Sequence, residues 1–306
     1  MGRPCGGGLF VLPLEACALV YYISNTQWEI WLMKLKFGNF AKALGPIIAI
    51  ALAGAAAGCD GKVTINGEEG KPLSELDLSG KAPEELVLAG PDEVRVTTGD
   101  KLAITVEGDP EVKDQIRFSL KDGSLAIHRK DKAFGSGDKV AIVNVTMPAP
   151  REVVMAGSGK ITAAQLASKA EVTIAGSGTV ESTAVSGESL ELTIAGSGNF
   201  RAAGNVRKLE VSVAGSGMAE MDALKVEKAD VTIAGSGSTT FASDGDVDAS
   251  IMGSGNVTVK GRARCTVSSM GSGKLVCETT VQKKDGDTPE PPKAPEPPAA
   301  PEAPKS

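Results

Sequence analysis

The amino-acid sequence predicts an all-β fold, a parallel β-helix or β-roll solenoid preceded by irregular β-structure, and three observations support this prediction. The tripeptide Gly-Ser-Gly recurs seven times between Gly157 and Gly273, at a spacing of 18 to 20 residues. The residues before each tripeptide alternate between apolar and polar side chains and are rich in Val, Ile and Thr, which is typical of strands. Glycine accepts the positive φ of tight corners, so a glycine-rich corner at a fixed period indicates stacked, equivalent coils.

Aligning the copies on the first glycine of each tripeptide shows which positions face the core. Those glycines are Gly157, Gly176, Gly196, Gly215, Gly235, Gly253 and Gly271. The residue four positions before the glycine is apolar in all seven copies. Each copy should therefore supply two short strands joined at the corner, followed by a surface loop of six to eight residues. One copy cannot bury its own apolar face, whereas copies stacked about 4.8 Å apart bury it in a continuous column, and we assign residues 151–282 to this solenoid.

The corner sequences exclude two kinds of ligand. A phosphate-binding loop needs a glycine-rich turn that leads into a helix N-terminus, whereas these turns lead into strands. A calcium-binding β-roll carries an Asp after its glycines, and no copy has an acidic residue at that position. We therefore expect no cofactor.

The segment from Met33 to Gly58 has the layout of a secretory signal peptide. Three lysines precede an uncharged apolar run of about 15 residues, which is shorter than the ~20 residues of a membrane-spanning helix. Small residues lead directly into Cys59, an arrangement that resembles the lipobox of bacterial lipoproteins. This resemblance implies that Cys59 is diacylated and anchors the mature protein to a membrane. A plain exported protein without a lipid is the alternative.

The segments outside the signal peptide and the β body have simpler interpretations. Residues 1–32 lack the features of an export signal. We interpret them as an extension that is not part of the genuine protein, whose true start would be Met33, and a genuine N-terminal extension is the alternative. Residues 59–82 are interpreted as a linker that follows the lipid anchor. Residues 283–306 contain 8 of the 17 prolines, so they favour extended polyproline II and are predicted to form a disordered tail or spacer.

The composition argues against several functions. The chain has a net charge of −6 and a pI near 5.1, which argues against nucleic-acid binding. After Cys59 the sequence holds four Phe, a single His and no Trp or Tyr, so it lacks aromatic platforms for sugars or bases. A catalytic triad would depend on His128 alone, and its basic neighbours Arg129 and Lys130 predict a solvated strand position.

An outward row of acidic residues lies five positions before the first glycine of successive copies. The row consists of Glu152, Glu171, Glu191, Glu210, Asp230 and Asp248 and ends at Thr266. Stacked like charges repel by a few tenths to ~1 kcal/mol per neighbouring pair, so the row could attract divalent cations or a basic partner. The alternative is a solvated surface compensated by basic residues two positions earlier, namely Lys169, Lys208, Lys228 and Arg264. The compensated surface is the favoured interpretation, and the row is kept as a candidate weak cation or partner face with no dedicated metal site.

A second outward row carries hydroxyl groups and is predicted to be ordinary solvated β-surface. It consists of Thr173, Thr193, Ser212, Thr232, Ser250 and Ser268.

Cys265 and Cys277 are the two cysteines left in the exported body once Cys59 carries lipid. An even pair suits an oxidising compartment and a disulfide, with two buried free thiols as the alternative. They stand six residues before and six residues after Gly271, so they should face the core of the last coil. A bond there would close the open end of the stack and protect its edge strand.

Residues 83–150 contain less regular strands, with a hairpin expected at Asp122-Gly123, and are predicted to cap the first coil. These strands, the KDGSLAI hairpin, the VNVTMP strand leading into EVVMAGSG, and the reiterated AGSG strands together resemble the head GIN domain of putative auto-transporter adhesins. The resemblance covers about residues 83–277 and implies a β-helical domain of the bacterial envelope. It supplies no catalytic residues.

Two functions from different classes remain. The first is a non-enzymatic, lipid-anchored protein of the bacterial cell envelope, facing the periplasm or the cell surface, whose solenoid presents a surface for adhesion, assembly or scaffolding. Its partners would be the membrane, through the anchor, and an unidentified envelope protein or glycan. The second is a polysaccharide-processing β-helix enzyme, which needs a cleft that gathers carboxylates and a basic residue, usually beside long loops. The short predicted loops favour the first function.

Overall fold

The structure is a computed structural model that describes residues 70–130 and 139–278. Within these ranges the chain forms sixteen strands, one short helix α1 (Pro110–Lys113) and a 3-10 turn at Leu73–Glu75. The strands are β1 (Glu85–Gly90), β2 (Glu93–Thr98), β3 (Ala103–Glu107), β4 (Ile116–Lys121), β5 (Ser124–Arg129), β6 (Ile142–Met147), β7 (Glu152–Gly157), β8 (Lys160–Gln165), β9 (Lys169–Gly176), β10 (Thr179–Gly196), β11 (Asn199–Gly215), β12 (Met218–Gly235), β13 (Ser238–Gly253), β14 (Asn256–Lys260), β15 (Arg264–Gly271) and β16 (Lys274–Glu278).

The repeats stack as parallel coils with like positions over like positions. The first glycines of successive corners are Cα partners from Gly157 to Gly271 without a slip, and so are the residues that precede them. All sixteen strands belong to one continuous sheet, in which β9, β10, β11, β12 and β13 follow one another. The predicted parallel solenoid is therefore confirmed.

The corners need glycine for two physical reasons. Gly215 has a φ of +125°, which residues with a Cβ rarely adopt. A Cβ on Gly215 would also run into the carbonyl group of Gly196 in the preceding coil. The close approach lets the coils bond along the corner: the N–H of Ser216 donates to Gly196 O at 2.9 Å, and the N–H of Met218 donates to Gly198 O at 3.0 Å.

The segments predicted to be surface loops are instead part of the strands. Strands β10 to β13 run 16 to 18 residues, from one corner to the next. We call the stretch between the strand after one corner and the strand before the next the return segment. Val206 and Val226 in two such segments are Cα partners and are 3% and 4% exposed, so return segments contribute to the core. Differences in repeat length are absorbed by local register shifts, as between Met221 and Lys225 opposite β13.

The core is a set of columns that run along the stack. The residues four positions before the corner glycine are buried from Val153 through Ala249, at 0% to 4% exposure. The residues four positions after it include Val180 and Phe200, both fully buried. Each coil alone exposes these side chains, and its neighbours remove them from water, which is the main stabilising term of a repeat stack.

Parallel pairing continues past residue 151 into the segment predicted to be a cap. Strand β1 pairs in parallel with both β7 and β5, and β2 pairs in parallel with both β8 and β6. The stack then ends in antiparallel strands, with β4 on β5 and β3 on β6. The hairpin expected at Asp122-Gly123 joins β4 to β5, with positive φ at both residues. The cap therefore consists of two added layers of coil closed by antiparallel strands.

The two ends of the described stack differ. The N-terminal end is closed by β3 and β4, whereas β15 and β16 at the other end expose most of their residues. Val267 is 49% exposed and Met270 is 74% exposed, because no further coil of residues 70–130 and 139–278 covers them. Among residues 70–130 and 139–278, no helix has the length and apolar character that a membrane span requires.

Candidate functional site

The predicted acidic row forms an in-register ladder on the outer face of the strands that precede the corners. Its six predicted members are consecutive Cα partners, Glu152, Glu171, Glu191, Glu210, Asp230 and Asp248, and Thr266 follows them. Glu85 of β1 pairs with Glu152 and adds a seventh carboxylate. We call these seven residues the acidic ladder. Neighbouring members stand one strand spacing apart, about 4.8 Å.

The ladder is half-buried at its N-terminal half, and this burial changes its chemistry. Loss of water contact raises the pKa of Glu152, Glu171 and Glu191, and the neighbouring carboxylates raise the pKa of each further. The opposing influences are weaker: Arg151 lowers the pKa of the first two, and Lys208 lowers that of Glu191. Burial and mutual repulsion both destabilise the ionised form of these carboxylates. A cation bound beside them would therefore stabilise the ionised ladder.

Charge compensation along this face is partial. Of the four cations predicted to neutralise the ladder, Lys208 pairs with Glu210 at 3.1 Å. Lys169 pairs instead with Glu188, which lies off the ladder, at 3.2 Å. Arg264 pairs with Asp246 at 2.7 Å, and Lys228 is the Cα partner of Asp246, also off the ladder. The cations therefore flank the carboxylates more often than they neutralise them.

An open groove of about 480 Å³ lies over the middle of the ladder. Its lining includes Glu171, Glu191 and Glu210 from the ladder and the cations Arg151 and Lys169. Across the described ranges, no three His, Cys, Asp or Glu side chains converge in a way that would hold a metal ion. The face therefore offers a line of charge rather than a chelating cage.

The predicted hydroxyl row beside the ladder is less exposed than expected. Thr173 and Thr193 are each 4% exposed, and they are Cα partners in β9 and β10. Val154, the Cα partner of Thr173 in β7, is 2% exposed. Branched side chains stacked in register cover one another, so the solvated surface predicted here begins only at Ser212, further along the row.

The prediction that His128 is solvated is wrong. Its side chain is 1% exposed, and Gly70 packs directly against its Nε2 edge. Nδ1 lies 3.1 Å from the carbonyl oxygen of Arg129 and donates to it, while Nε2 has no hydrogen-bond partner in the described structure. Burial lowers the pKa of His128, so the ring is neutral at physiological pH and packs as part of the cap.

A buried ion pair that the sequence analysis missed fixes the first layers of the stack. Asp92 is 1% exposed and Arg129 is 6% exposed, and they are joined by two hydrogen bonds. The backbone N–H of Ala141 donates to the same Asp92 carboxylate at 2.9 Å. Asp92 occupies the corner after β1, at the position where other coils have the second glycine of the tripeptide. An acidic residue at a glycine position was the one sequence feature that pointed to this ion pair.

The predicted cysteine pair is joined in the structure. Cys265 and Cys277 form a disulfide across the last coil, with their Cα atoms 6.8 Å apart. Cys59 and the signal peptide lie outside the described residues, as do the start of the linker and the proline-rich tail.

A family model described as putative auto-transporter adhesin, head GIN domain, matches residues 82–263. The match begins just before β1 and ends just before β15, so the last coil with its disulfide lies beyond it.

Solved structures share the fold. A putative adhesin from Bacteroides fragilis has a TM-score of 0.56 and 18% sequence identity, and the alignment covers 65% of this chain and 93% of that one. A putative lipid binding protein from Parabacteroides distasonis has a TM-score of 0.52 and 24% identity, with 65% and 94% covered. Identities this low establish a common fold only. No curated protein matches the chain.

Proposed function

Because the chain belongs to the family of putative auto-transporter adhesin head GIN domains, we propose that it is a non-enzymatic, lipid-anchored protein of the bacterial cell envelope. Its solenoid presents the acidic ladder to a basic partner surface. The observation that carries this proposal is the in-register run from Glu85 to Asp248, in which one member, Glu210, has an ion pair within the described structure.

The physical basis is that nearby basic side chains neutralise only part of the negative charge of the ladder. Burial and like charges raise the pKa of Glu152, Glu171 and Glu191, so keeping them ionised costs free energy in the isolated chain. A partner that brings Lys or Arg side chains at strand spacing relieves this cost at several steps at once. Charge complementarity of this kind mainly sets partner choice and association rate.

Attachment through Cys59 is the second part of the proposal. It is supported by the apolar segment before Cys59 and by the small residues that lead into it. A diacyl anchor with the linker at residues 59–82 would hold the solenoid near the membrane, and two acyl chains suffice for stable anchoring. Incorporation of a palmitate analogue tests this, and it should be lost in Cys59→Ala.

A polysaccharide-processing enzyme is the second candidate, because neighbouring carboxylates with raised pKa values are the arrangement that glycoside hydrolysis uses. The ladder differs from such a site in one respect. Its carboxylates are repeated equivalently from coil to coil, whereas an acid and a base need environments that separate their pKa values. Release of reducing sugar from envelope polysaccharides, lost in Glu171→Gln, would establish the enzyme and overturn the binding role.

The deciding experiment compares two triple variants of the full chain with the same change in net charge. The ladder variant carries Glu152→Gln, Glu171→Gln and Glu191→Gln. The control variant carries three equivalent changes at exposed carboxylates off the ladder, at Glu75, Glu111 and Glu278.

Each immobilised variant is exposed to envelope extract, with and without chelator, and the captured basic proteins are quantified. We expect capture by the unmodified chain and the control variant and its loss from the ladder variant. Equal capture by both variants would contradict the role of the ladder. Loss of capture on chelation would show that divalent cations bridge the partner.

A further inference from the structure

A second and larger groove runs along the return segments, on a different side of the coils from the acidic ladder. It has a volume of about 1150 Å³ and is lined by four basic side chains, Arg207, Lys225, Lys260 and Arg262. We call it the basic groove. Its volume exceeds the roughly 300–1,000 Å³ of most small-molecule pockets.

Small residues form part of the lining of the groove. Gly187, Gly245 and Gly261 line it, together with Ala242 and Ser243. A Cβ on Gly187 or Gly245 would collide with the backbone of the coil beneath it, so these positions are restricted to glycine by the stacking itself. The result is a shallow channel with long basic side chains along it.

The cations at the C-terminal end of the groove form salt bridges, whereas the two in its middle do not. Lys260 pairs with Asp222 at 2.6 Å, and Arg262 pairs with Asp244 at 3.5 Å. Neither Arg207 nor Lys225 forms a salt bridge with any residue in the described ranges. The pKa of Asp244 is lowered mainly by the backbone N–H of Arg262 and also by the charge of Lys225, so Lys225 is close to this carboxylate without being paired to it. Two carboxylates, Glu227 and Asp244, also line the groove, so the excess of positive charge is modest and localised.

The chain leaves the described structure at the end of this groove. The backbone N–H of Gly261, which lines the groove, donates to the carbonyl oxygen of Glu278 at 3.0 Å. Glu278, the last described residue, therefore lies beside Lys260 and Gly261. Six extended residues reach about 20 Å, enough to pass from Glu278 to the level of Arg207.

The sequence that follows is complementary to the groove. Residues 285–302, which we call the acidic segment, carry five carboxylates and one lysine. From Pro289 to Pro304 every third residue is proline, and polyproline II has three residues per turn. In that conformation Glu290, Glu296 and Glu302 would fall in one row, about 19 Å apart at successive positions. Arg207 and Arg262 are three coils apart, about 14 Å, which side chains of this length can bridge.

We propose that the acidic segment of this same chain lies in the basic groove, with one carboxylate against Arg207 and Lys225, which stand on adjacent coils, and the next towards Arg262. A polyproline II segment is already restricted in conformation, so binding costs it little conformational entropy. The small residues in the lining of the groove leave room for the proline rings. Because the segment is tethered a few residues away, its effective concentration is in the millimolar range, so even a weak contact is populated. The groove is then self-occupied, and a competing acidic polymer must displace the segment.

Zero-length carbodiimide cross-linking of the full chain tests the contact directly, since it joins carboxylates to amines in ion pairs. We expect mass spectrometry to find Lys225 linked to Asp287, Glu290 or Glu296, with the link suppressed in 0.5 M salt. Mixing chains of natural and heavy nitrogen separates the sources. Hybrid-mass links would assign the segment to a second copy and overturn the intramolecular contact.

A binding measurement tests the same contact without depending on the yield of cross-linking. A chain ending at Lys284 retains all described residues and is titrated with a fluorescent peptide of residues 285–306. We expect the double variant Arg207→Ala/Lys225→Ala to bind at least tenfold more weakly than the matched control Lys113→Ala/Lys274→Ala, and the full chain to bind the peptide less than the truncated one. Equal binding by both double variants overturns the proposal. So does equal binding of polygalacturonate to the full and truncated chains, which would indicate a groove open to external acidic glycans.

Discussion

Asp92 and Arg129 are joined by two parallel hydrogen bonds, Nε to Oδ2 at 2.9 Å and Nη2 to Oδ1 at 2.7 Å, inside the first layers of the stack. The pair connects the corner after β1 to the end of β5. Arg129 also donates to the carbonyl oxygen of Lys139 at 2.8 Å. The Asp92 carboxylate and the Arg129 guanidinium are thus each hydrogen-bonded both to one another and to the backbone. A buried ion pair is tolerated under this condition.

We expect Asp92→Ala to lower the free energy of unfolding by about 3–5 kcal/mol, because it leaves the Arg129 guanidinium buried and unpaired. Urea denaturation measures the change. The control Glu93→Gln removes the exposed pair with Arg95 and should cost at most about 1 kcal/mol. Adding Arg129→Met to Asp92→Ala should recover much of the loss, and a double variant no more stable than the single one would contradict this account.

Gly215→Ala should destabilise the solenoid by at least about 2 kcal/mol, because it combines a strained φ with a collision against Gly196 in the preceding coil. Thermal or chemical unfolding reports the effect. Gly80→Ala is the matched control, since that glycine has an ordinary φ and no atom within 4 Å of the added Cβ. Similar stabilities for the two variants would mean that the corners tolerate a side chain.

Glu171→Gln should stabilise the protein at pH 7 by a few tenths to about 1 kcal/mol, since it removes a carboxylate that is destabilised first by burial and then by the like charge of Glu152. The pKa of Glu171 is raised in the folded state above its ordinary value of 4.5, so the folded state binds the proton more tightly than the unfolded state. The ionised Glu171 side chain therefore lowers the free energy of unfolding at pH values above its folded-state pKa. This destabilisation decreases as the pH falls through that pKa and is gone at about pH 4.5, the ordinary pKa. Unfolding measured from pH 8 to pH 4 should show the gain shrinking towards zero.

The same substitution at Glu181 should have the opposite sign. Lys160 at 2.8 Å and Arg201 at 3.3 Å lower the pKa of Glu181 below 4.5, so its contribution to stability is present above the unfolded pKa and lost as the pH falls. Glu181→Gln should thus weaken the fold at neutral pH. A ladder variant that loses stability at pH 7 just as Glu181→Gln does would show that the ladder is fully compensated.

Removing the disulfide should affect the last coil locally. In Cys265→Ser/Cys277→Ser we expect hydrogen exchange to accelerate in β15 and β16 while β9 to β12 keep their protection, because a repeat stack opens from its ends. The cost to that coil is about 2–4 kcal/mol. Reductant should reproduce the effect in the unmodified chain and change nothing further in the double variant. Loss of protection throughout the stack would indicate that the bond stabilises the whole solenoid.

The sequence was sufficient for the parts of the fold that repeat strictly. The alternation before each corner identified columns such as that of Val211 and Val231, since the glycine period fixes the register of neighbouring coils. The return segments were mistaken for loops because their lengths vary and because Lys225 and Glu227 surround the buried Val226. Variation in length does not prevent pairing when a bulge can absorb it.

The polar features of the first layers could not be predicted from local sequence. Arg129 and Asp92 are 37 residues apart, and their pairing follows from β5 lying beside β1, a crossover that the sequence does not announce. Glu85 was missed as the seventh ladder residue for a related reason. Its strand leads into Gly90-Pro91-Asp92 rather than into the repeated tripeptide, although Gly90 pairs with Gly157.

The corner hydrogen bonds all point one way. In each coil the serine N–H donates to the first glycine carbonyl of the preceding coil, from Ser177 to Ser272. Aligned peptide dipoles add and polarise one another, as they do in a helix. This edge of the rod is therefore electrically polar, positive towards β5 and negative towards β15. A cation or a hydrogen-bond donor is favoured at the open end, and two rods that meet end to end are favoured head to tail.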